Sequence, residues 1–182
     1  RPEYVVGLRE LAALHAALEE CLADAVARSP ELAAVYDPAA MARTPLLDRD
    51  LAAFGADRGD APPSAATARL AGRFRRWAAD SPWALVGPLY ITEGSRMGSM
   101  LLARSLSKAF GLPPAGGVGL DYHVEGMATR PHDWKRFREA VGGLPLSDAQ
   151  QEQVLAAAVE TMDGLVELYA ALPVGGAVLA SG

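Results

Sequence analysis

The amino-acid sequence predicts an all-α fold, because it combines three features that are typical of a helical bundle. The chain is rich in Ala and Leu, poor in runs of β-branched residues, and 51% hydrophobic overall. Apolar residues recur at steps of three and four, which is the spacing of one helix face. Proline and small polar residues mark repeated helix starts, and no segment has a convincing strand pattern.

Length and charge narrow the class of protein. The 182 residues predict a single helical domain over residues 1–172, followed by an irregular tail over 173–182. A net charge of -5 argues against general nucleic-acid binding and against docking to membranes. The lone cysteine, Cys21, excludes an internal disulfide framework and a CxxC zinc site. We expect a cytoplasmic protein, because no signal peptide or membrane-spanning run is visible.

The first half of the chain predicts one long helix and several short ones. The long helix runs from Tyr4 to about Ala27, and its apolar seam also carries His15; the seam residues are Tyr4, Leu8, Leu11, Leu18, Leu22 and Val26. Three start signals then follow, at Ser29-Pro30, Asp37-Pro38 and Thr44-Pro45. They predict short helices over 31–36, 39–43 and 45–54, before a loop over 55–63 that is rich in Gly, Asp and Pro.

The second half predicts longer helices. Ser64 caps a helix that has Leu70, Phe74 and Trp77 on one face, and Ser81-Pro82 opens a helix that ends at Gly111. After a loop over 113–119, we expect a short helix over 122–127 and another over 131–141, with Trp134, Phe137 and Val141 inward. A capping box over 147–150 begins the last helix. Its predicted inward seam is Leu155, Ala158, Met162, Leu165, Tyr169 and Leu172.

The most informative segment lies inside the long helix that follows Ser81. Gly94 and Gly98 stand four residues apart on one helix face. A mid-helix Gly costs up to about 1 kcal/mol relative to Ala. Two of them therefore indicate a bend and a bare backbone surface. The spacing predicts a ligand slot beside this kinked helix, with close helix–helix packing as the alternative explanation.

Five landmarks in order carry a resemblance over nearly the whole chain. They are Arg1-Pro2-Glu3-Tyr4 with Leu18-Glu19-Glu20, Tyr36-Asp37-Pro38 with residues 47–52, the segment Gly94-Ser95-Arg96-Met97-Gly98-Ser99, Trp134 with Phe137, and residues 165–169. With these landmarks the chain resembles a biliverdin-producing heme oxygenase of the bacterial, phytochrome-associated type. The resemblance implies a heme-oxygenase-like helical bundle with a glycine-kinked distal helix.

The resemblance also implies a reaction and a site. Heme, as substrate and prosthetic group, is cleaved to biliverdin, CO and iron, with O₂ and electrons from an external reductase or ferredoxin. A phytochrome is a further implied partner. Ser95 and Gly98 are the implied catalytic positions on the distal face, which Gly94 and Ser99 complete. Lys135 and Arg138 are implied partners of the heme propionates, and Met162 and Tyr169 lie near the implied heme edge.

The axial ligand departs from the pattern of this family. Aligning Leu18-Glu19-Glu20 with the family's second helix puts the family's proximal helix, with its axial His, before Arg1. His15 then occupies a position usually held by a core aromatic residue. Two interpretations stay open for His15, a core residue or an iron ligand. His123 and His132 lie near predicted loops, so we expect both at the surface.

Other functions remain in view. The serious alternative is a catalytically inactive, heme-oxygenase-like module that binds a tetrapyrrole or a protein. A di-iron oxidase would need a Glu-x-x-His pair, and no histidine has Glu or Asp three residues before it. A thiaminase-like hydrolase would need an activated thiol, and Cys21 has no recognisable partner in the sequence. Met162 and Tyr169 as core residues, and Lys135 and Arg138 as a solvated face, are the structural alternatives for those positions.

Overall fold

The computed structural model describes residues 1–59, 61–113 and 118–172, and these ranges are helical without any strand. The prediction of an all-α fold is therefore confirmed. The irregular tail predicted over 173–182 lies outside the described residues, as does the middle of the predicted loop over 113–119. No helix in the described ranges is both long enough and apolar enough to cross a membrane.

Eight α-helices lie in the described ranges, and two 3₁₀ turns, Pro30–Ala34 and Pro82–Leu85, connect some of them. The helices are α1 (Pro2–Arg28), α2 (Pro38–Met41), α3 (Thr44–Ala53), α4 (Ala65–Asp80), α5 (Val86–Phe110), α6 (Asp121–Val124), α7 (Arg130–Gly142) and α8 (Asp148–Ala171). The short helices predicted over 31–36 and 39–43 are a 3₁₀ turn and a single α-turn. Closely spaced prolines leave too few residues there for longer helices. The helix predicted over 122–127 is only the four-residue α6.

Local capping signals position the long helices. The Ser64 hydroxyl accepts from the Thr67 amide at the start of α4. The capping box at the start of α8 is formed by Ser147 and Gln150, as predicted. Gly111 ends α5 in the left-handed conformation, with φ of 67°. These three ends were predicted from residue type alone, because capping depends on a few neighbouring residues.

The core surrounds α1, which packs against α3 and α4, while α8 packs against both α4 and α5. The predicted faces of α1 and α4 are buried, including Leu18 on α1 and Phe74 on α4. Cys21 is buried in the same cluster. A smaller cluster joins the N-terminal part of α1 to α3 and to Tyr122 of α6.

The predicted inward seam of α8 is wrong for three of its members. Leu155, Met162 and Tyr169 are 67%, 49% and 44% exposed. The buried face of α8 instead consists of Ala157, Thr161, Gly164, Leu165 and Leu168. Small residues define this face because α4 and α5 approach closely; a Cβ on Gly164 would lie 2.9 Å from Leu70 Cδ1. The more apolar stripe is consequently left without cover from the described residues.

The two halves of α5 differ in burial. Residues 86–89 are fully buried, whereas residues 97, 98, 101, 102, 104 and 105 are exposed. Helical structure continues through both Gly94 and Gly98. At its far end, the Phe110 ring packs on Tyr4, with ring centroids 5.4 Å apart. The exposed half of α5 is therefore held at its two ends and is open between them.

Candidate functional site

A cleft opens between α5 and α8 beyond the point where their backbones touch. At Gly87, an added Cβ would lie 2.5 Å from the Val154 carbonyl oxygen and 2.7 Å from the Ala158 nitrogen of α8. Gly98 follows Gly87 by eleven residues, about three turns, so both point to the same side of α5. A Cβ on Gly98 would meet no atom of the described residues within 4 Å. At Gly98 the described part of α8 is therefore no longer in contact with this side of α5.

Both walls of this cleft are apolar. On α8, Met162 and Tyr169 follow Ala158 by four and eleven residues, which keeps them on the side that faces α5. Around Gly98 on α5, Met97, Leu101 and Leu102 are exposed; the exposed fraction of Leu101 is 71%. Val159 and Val166 extend the apolar stripe on α8. Contiguous exposed apolar surface of this kind marks ligand or partner sites, and we call it the α5–α8 cleft.

Gly94 has different surroundings from Gly98. A Cβ on Gly94 would lie 3.2 Å from Cη2 of Trp134, whose indole comes from α7. Trp134 also packs against Tyr90 and Phe137, with ring centroids 5.0 and 5.7 Å away. The bare backbone at Gly94 therefore admits an aromatic side chain of α7, as the packing explanation expects. Gly98 keeps its bare surface open.

The two serines of the glycine segment lie beside the open surface. Ser95 is exposed, and its hydroxyl donates to the Thr92 carbonyl oxygen at 2.8 Å. This bond uses the only hydroxyl proton of Ser95 and leaves its oxygen lone pairs free to accept. Ser99 is half-buried one turn later.

The two predicted propionate partners lie on the solvent side of α7. Lys135 and Arg138 are both exposed. The Lys135 ammonium lies 3.8 Å from the Glu139 carboxylate, and both side chains are largely exposed, so this ion pair is weak. Lys135 and Arg138 are therefore available to bind carboxylates of a ligand.

An ion cluster that the sequence did not reveal lies behind the glycine segment. Arg43, which is 4% exposed, contacts the carboxylates of Glu93 and Glu125 at 3.0 and 3.2 Å. Arg96 binds the same two carboxylates at 2.8 and 2.5 Å. The Glu93 side chain is only 11% exposed. The cluster joins α5 to the start of α3 and to the end of α6.

Arg130 extends this cluster to the backbone of α5. Its guanidinium is 2% exposed and donates to the carbonyl oxygens of Arg96 at 2.6 Å, His123 at 3.1 Å and Glu125 at 2.5 Å. The Arg96 carbonyl lies between Gly94 and Gly98. This buried side chain thus ties the glycine segment to α6 and to Glu125, which directly follows it.

His15 lies in the interior beside the cluster. Its Nε2 is 3.0 Å from the Tyr122 hydroxyl, and the residue is 6% exposed. Burial, together with the positive charges of Arg43 and Arg96, lowers the pKa of His15 to about 3. The cavity next to it has a volume of about 10 Å³, which is room for one water and not for a macrocycle. This placement favours the core interpretation of His15.

Asp50 positions the tyrosine that His15 contacts. The fully buried carboxylate accepts from the amides of Asp121 at 2.6 Å and Tyr122 at 2.9 Å. These bonds fix the first turn of α6. Burial raises the pKa of Asp50 to about 6, although the two amides oppose the shift.

The expectation that His123 lies at the surface is wrong. The residue is 3% exposed, and its ring lies against Tyr4 and Tyr122, with centroids 6.1 and 5.1 Å away. Neither ring nitrogen has a hydrogen-bond partner among the described residues. Burial, followed by the charge of Arg130, lowers the pKa of His123 to about 4. Tertiary packing of α6 against α1 buries a residue whose loop-like sequence surroundings suggested exposure. His132 is exposed, as predicted.

Comparisons with known proteins agree on one family. A family model described as heme oxygenase matches residues 1–168. A heme oxygenase from Takifugu rubripes is 28% identical over 171 residues, which are 92% of this chain and 61% of that relative, so the chain spans less than two thirds of its length. The crystal structure of heme oxygenase-1 from the cyanobacterium Synechocystis in complex with heme is 24% identical. It matches with a TM-score of 0.83 over 98% of this chain and 80% of that one. Heme oxygenase-2 from the same organism, in complex with heme and NO, is 25% identical, with a TM-score of 0.75 over 94% of this chain and 74% of that one.

Proposed function

Because the chain belongs to the heme oxygenase family, we propose that it binds heme in the α5–α8 cleft and takes part in the oxidative cleavage of this heme. The products of the proposed reaction are biliverdin, CO and iron, and the co-reactants are O₂ and electrons from an external donor. The observation that carries this proposal is the open backbone surface at Gly98, with apolar side chains on both walls of the cleft.

The residues present fit the distal side of a heme. The transfer of a flat apolar macrocycle from water to a site with apolar walls is favourable. A glycine lets the macrocycle approach the backbone closely. A Cβ on Gly98 would project into this space. Bound heme would supply the redox-active iron and the meso carbon that is oxidised. His15 enters the proposal as a core residue and not as a ligand of that iron.

The chain's own residues would orient the ligand and hold water beside it. Lys135 and Arg138 would bind the propionates, since cationic donors form strong hydrogen bonds with carboxylates. Met162 and Tyr169 would contact the macrocycle edge from α8. Ser95 donates its proton to the Thr92 carbonyl, and the free lone pairs of its oxygen can accept a hydrogen bond from water. Ser95 and Ser99 would thus order water on the distal side, while Gly98 keeps the space above the ring free.

The proposed partners follow the same family assignment. A reductase or a ferredoxin would supply electrons, and a phytochrome would use the biliverdin. We propose a cytoplasmic setting for this reaction.

A hemin titration of a matched pair of variants tests the binding site. Gly98→Val fills the open surface, whereas Gly72→Val makes the same change at an exposed position of α4 where a Cβ also meets no described atom within 4 Å. We expect near-stoichiometric hemin uptake with a sharp Soret band for the wild type and Gly72→Val. We expect uptake to weaken by about tenfold or more for Gly98→Val, since a valine would displace the ring from the backbone. Equal uptake by both variants would remove Gly98 from the site.

A second candidate function is favoured by the hydrogen bond between His15 and Tyr122. In this second function the chain binds a tetrapyrrole without turning it over. Biliverdin formation from bound hemin, in the presence of O₂ and a reductase–ferredoxin pair, separates the two functions. Uptake with no biliverdin supports the binding function, and the absence of any uptake contradicts both.

A further inference from the structure

We infer that Arg130 is a positioning residue that holds the glycine segment of α5 in place against the α5–α8 cleft. This inference deepens the proposed function and, for its consequence on heme binding, rests on it. The segment in question is residues 94–102.

Few other contacts among the described residues hold this segment. Residues 97, 98, 101 and 102 are exposed, and the buried side chains that follow them on α5 are Ala103 and Ser107. At the far end, Phe110 packs on Tyr4 and Phe54. At the near end, the anchor is the ion cluster of Glu93 and Arg96. The exposed side chains described between these anchors contribute little packing to stabilise this stretch.

Arg130 reaches this stretch directly through the backbone. Its Nη1 donates to the Arg96 carbonyl at 2.6 Å, and its Nη2 donates to the His123 and Glu125 carbonyls. Charge-assisted bonds to carbonyl oxygens are stronger than neutral ones, and burial strengthens them further. The three acceptors lie on α5, on α6 and at Glu125, which directly follows α6. Arg130 therefore fixes the distance between them, and with it the position of Gly98 relative to α8.

The charge balance makes this role specific to Arg130. Arg43 and Arg96 are matched by the carboxylates of Glu93 and Glu125, whereas the hydrogen bonds of Arg130 to the described residues all go to carbonyl oxygens. Burial and the charge of Arg96 lower the pKa of Arg130. A buried cation kept among carbonyls costs desolvation free energy, and the bonds to those carbonyls compensate for it. Removing the donors should thus affect the α5 backbone first.

Hydrogen–deuterium exchange of the ligand-free chain tests this role without heme. Arg130→Met removes the donors and keeps the stem, and Arg130→Lys keeps one cationic donor group. The matched control is Leu32→Ala, which removes a buried side chain from the 3₁₀ turn Pro30–Ala34 and destabilises the whole fold. We expect Arg130→Met to raise exchange in residues 94–102 by about tenfold beyond its effect on α4, with partial rescue in Arg130→Lys. Leu32→Ala should raise exchange without this preference.

The hemin titration then tests whether the positioning role of Arg130 affects ligand binding in the α5–α8 cleft. We expect Arg130→Met to weaken uptake and broaden the Soret band relative to Leu32→Ala, and Arg130→Lys to recover part of both. If the wild-type chain takes up no hemin, the proposed function is wrong, but the exchange experiment still tests the positioning role of Arg130. If exchange in 94–102 rises no more than in α4, the positioning role is wrong. Should Arg130→Met fail to fold, Arg130→Gln, which removes the charge but keeps a polar side chain, takes its place, and exchange in 94–102 that rises no more than in α4 overturns the role equally.

Discussion

Replacing His123 by Phe should make the protein less sensitive to acid. His123 is buried among aromatic rings, and its folded-state pKa of about 4 lies below the unfolded value of about 6.5. Between these two values the unfolded chain binds a proton that the folded chain excludes. The free energy of unfolding therefore falls as the pH falls through this window, and the contribution of neutral His123 is fully retained only above about pH 6.5.

The magnitude follows from these two pKa values. One pKa unit corresponds to about 1.4 kcal/mol, so acidification from pH 7 to pH 5 costs about 2 kcal/mol through His123. His15 adds a loss of similar size, since its folded pKa is about 3. Asp50 works in the opposite direction, because its raised pKa of about 6 lets the folded state gain a proton over part of the same range. Comparing variants cancels the contributions of Asp50 and His15.

The assay is urea unfolding of wild type and His123→Phe at pH 7 and pH 5. The stability lost between the two pH values should be smaller in the variant by about 2 kcal/mol, whatever constant packing change the Phe ring introduces. His132→Gln, at an exposed position of α7, is the control and should lose as much as wild type. An equal loss in wild type and His123→Phe would refute the assignment of His123 as a buried neutral imidazole.

Two further substitutions test the packing of α5 and the role of His15. Gly87→Ala should destabilise the fold by about 3 kcal/mol, measured by urea unfolding, because its Cβ would press on the α8 backbone; Gly72→Ala, where space is open, should instead gain up to about 1 kcal/mol, and similar effects of the two would contradict the close approach at Gly87. His15→Phe should leave the Soret band of the hemin-loaded chain in place, since its Nε2 pairs with Tyr122; loss of the band without loss of folding would make His15 the iron ligand.

The sequence correctly predicts those features of the structure that depend on neighbouring residues. Ser64, the Ser147 capping box and Gly111 set helix ends through bonds within one turn. The placement of Gly98 on a bare surface also followed from local spacing, because a glycine leaves the same gap in any helix. The covered surface of Gly94 could not be predicted from local spacing, because Trp134, which packs on it, lies on another helix.

The wrong and missing predictions share a physical cause, which is packing between segments that are distant in the sequence. On α8 the periodicity predicts that the most apolar stripe is buried, but close contact with α4 and α5 selects small residues such as Ala157 and Gly164. The ion cluster joins charges that are 29 to 82 residues apart, apart from the Glu93–Arg96 pair. No periodicity in the sequence connects those partners. His123 was misplaced for the same reason, because α1 covers it.

The shielded position of Cys21 has a practical consequence. The chain has one cysteine, it is buried, and burial raises the pKa of its thiol. Since the thiolate is the reactive form, maleimide or a spin label should modify this residue only slowly. A cysteine introduced at Met162 would therefore carry a probe almost alone, and its fluorescence or mobility would report directly on whatever occupies the space between α5 and α8.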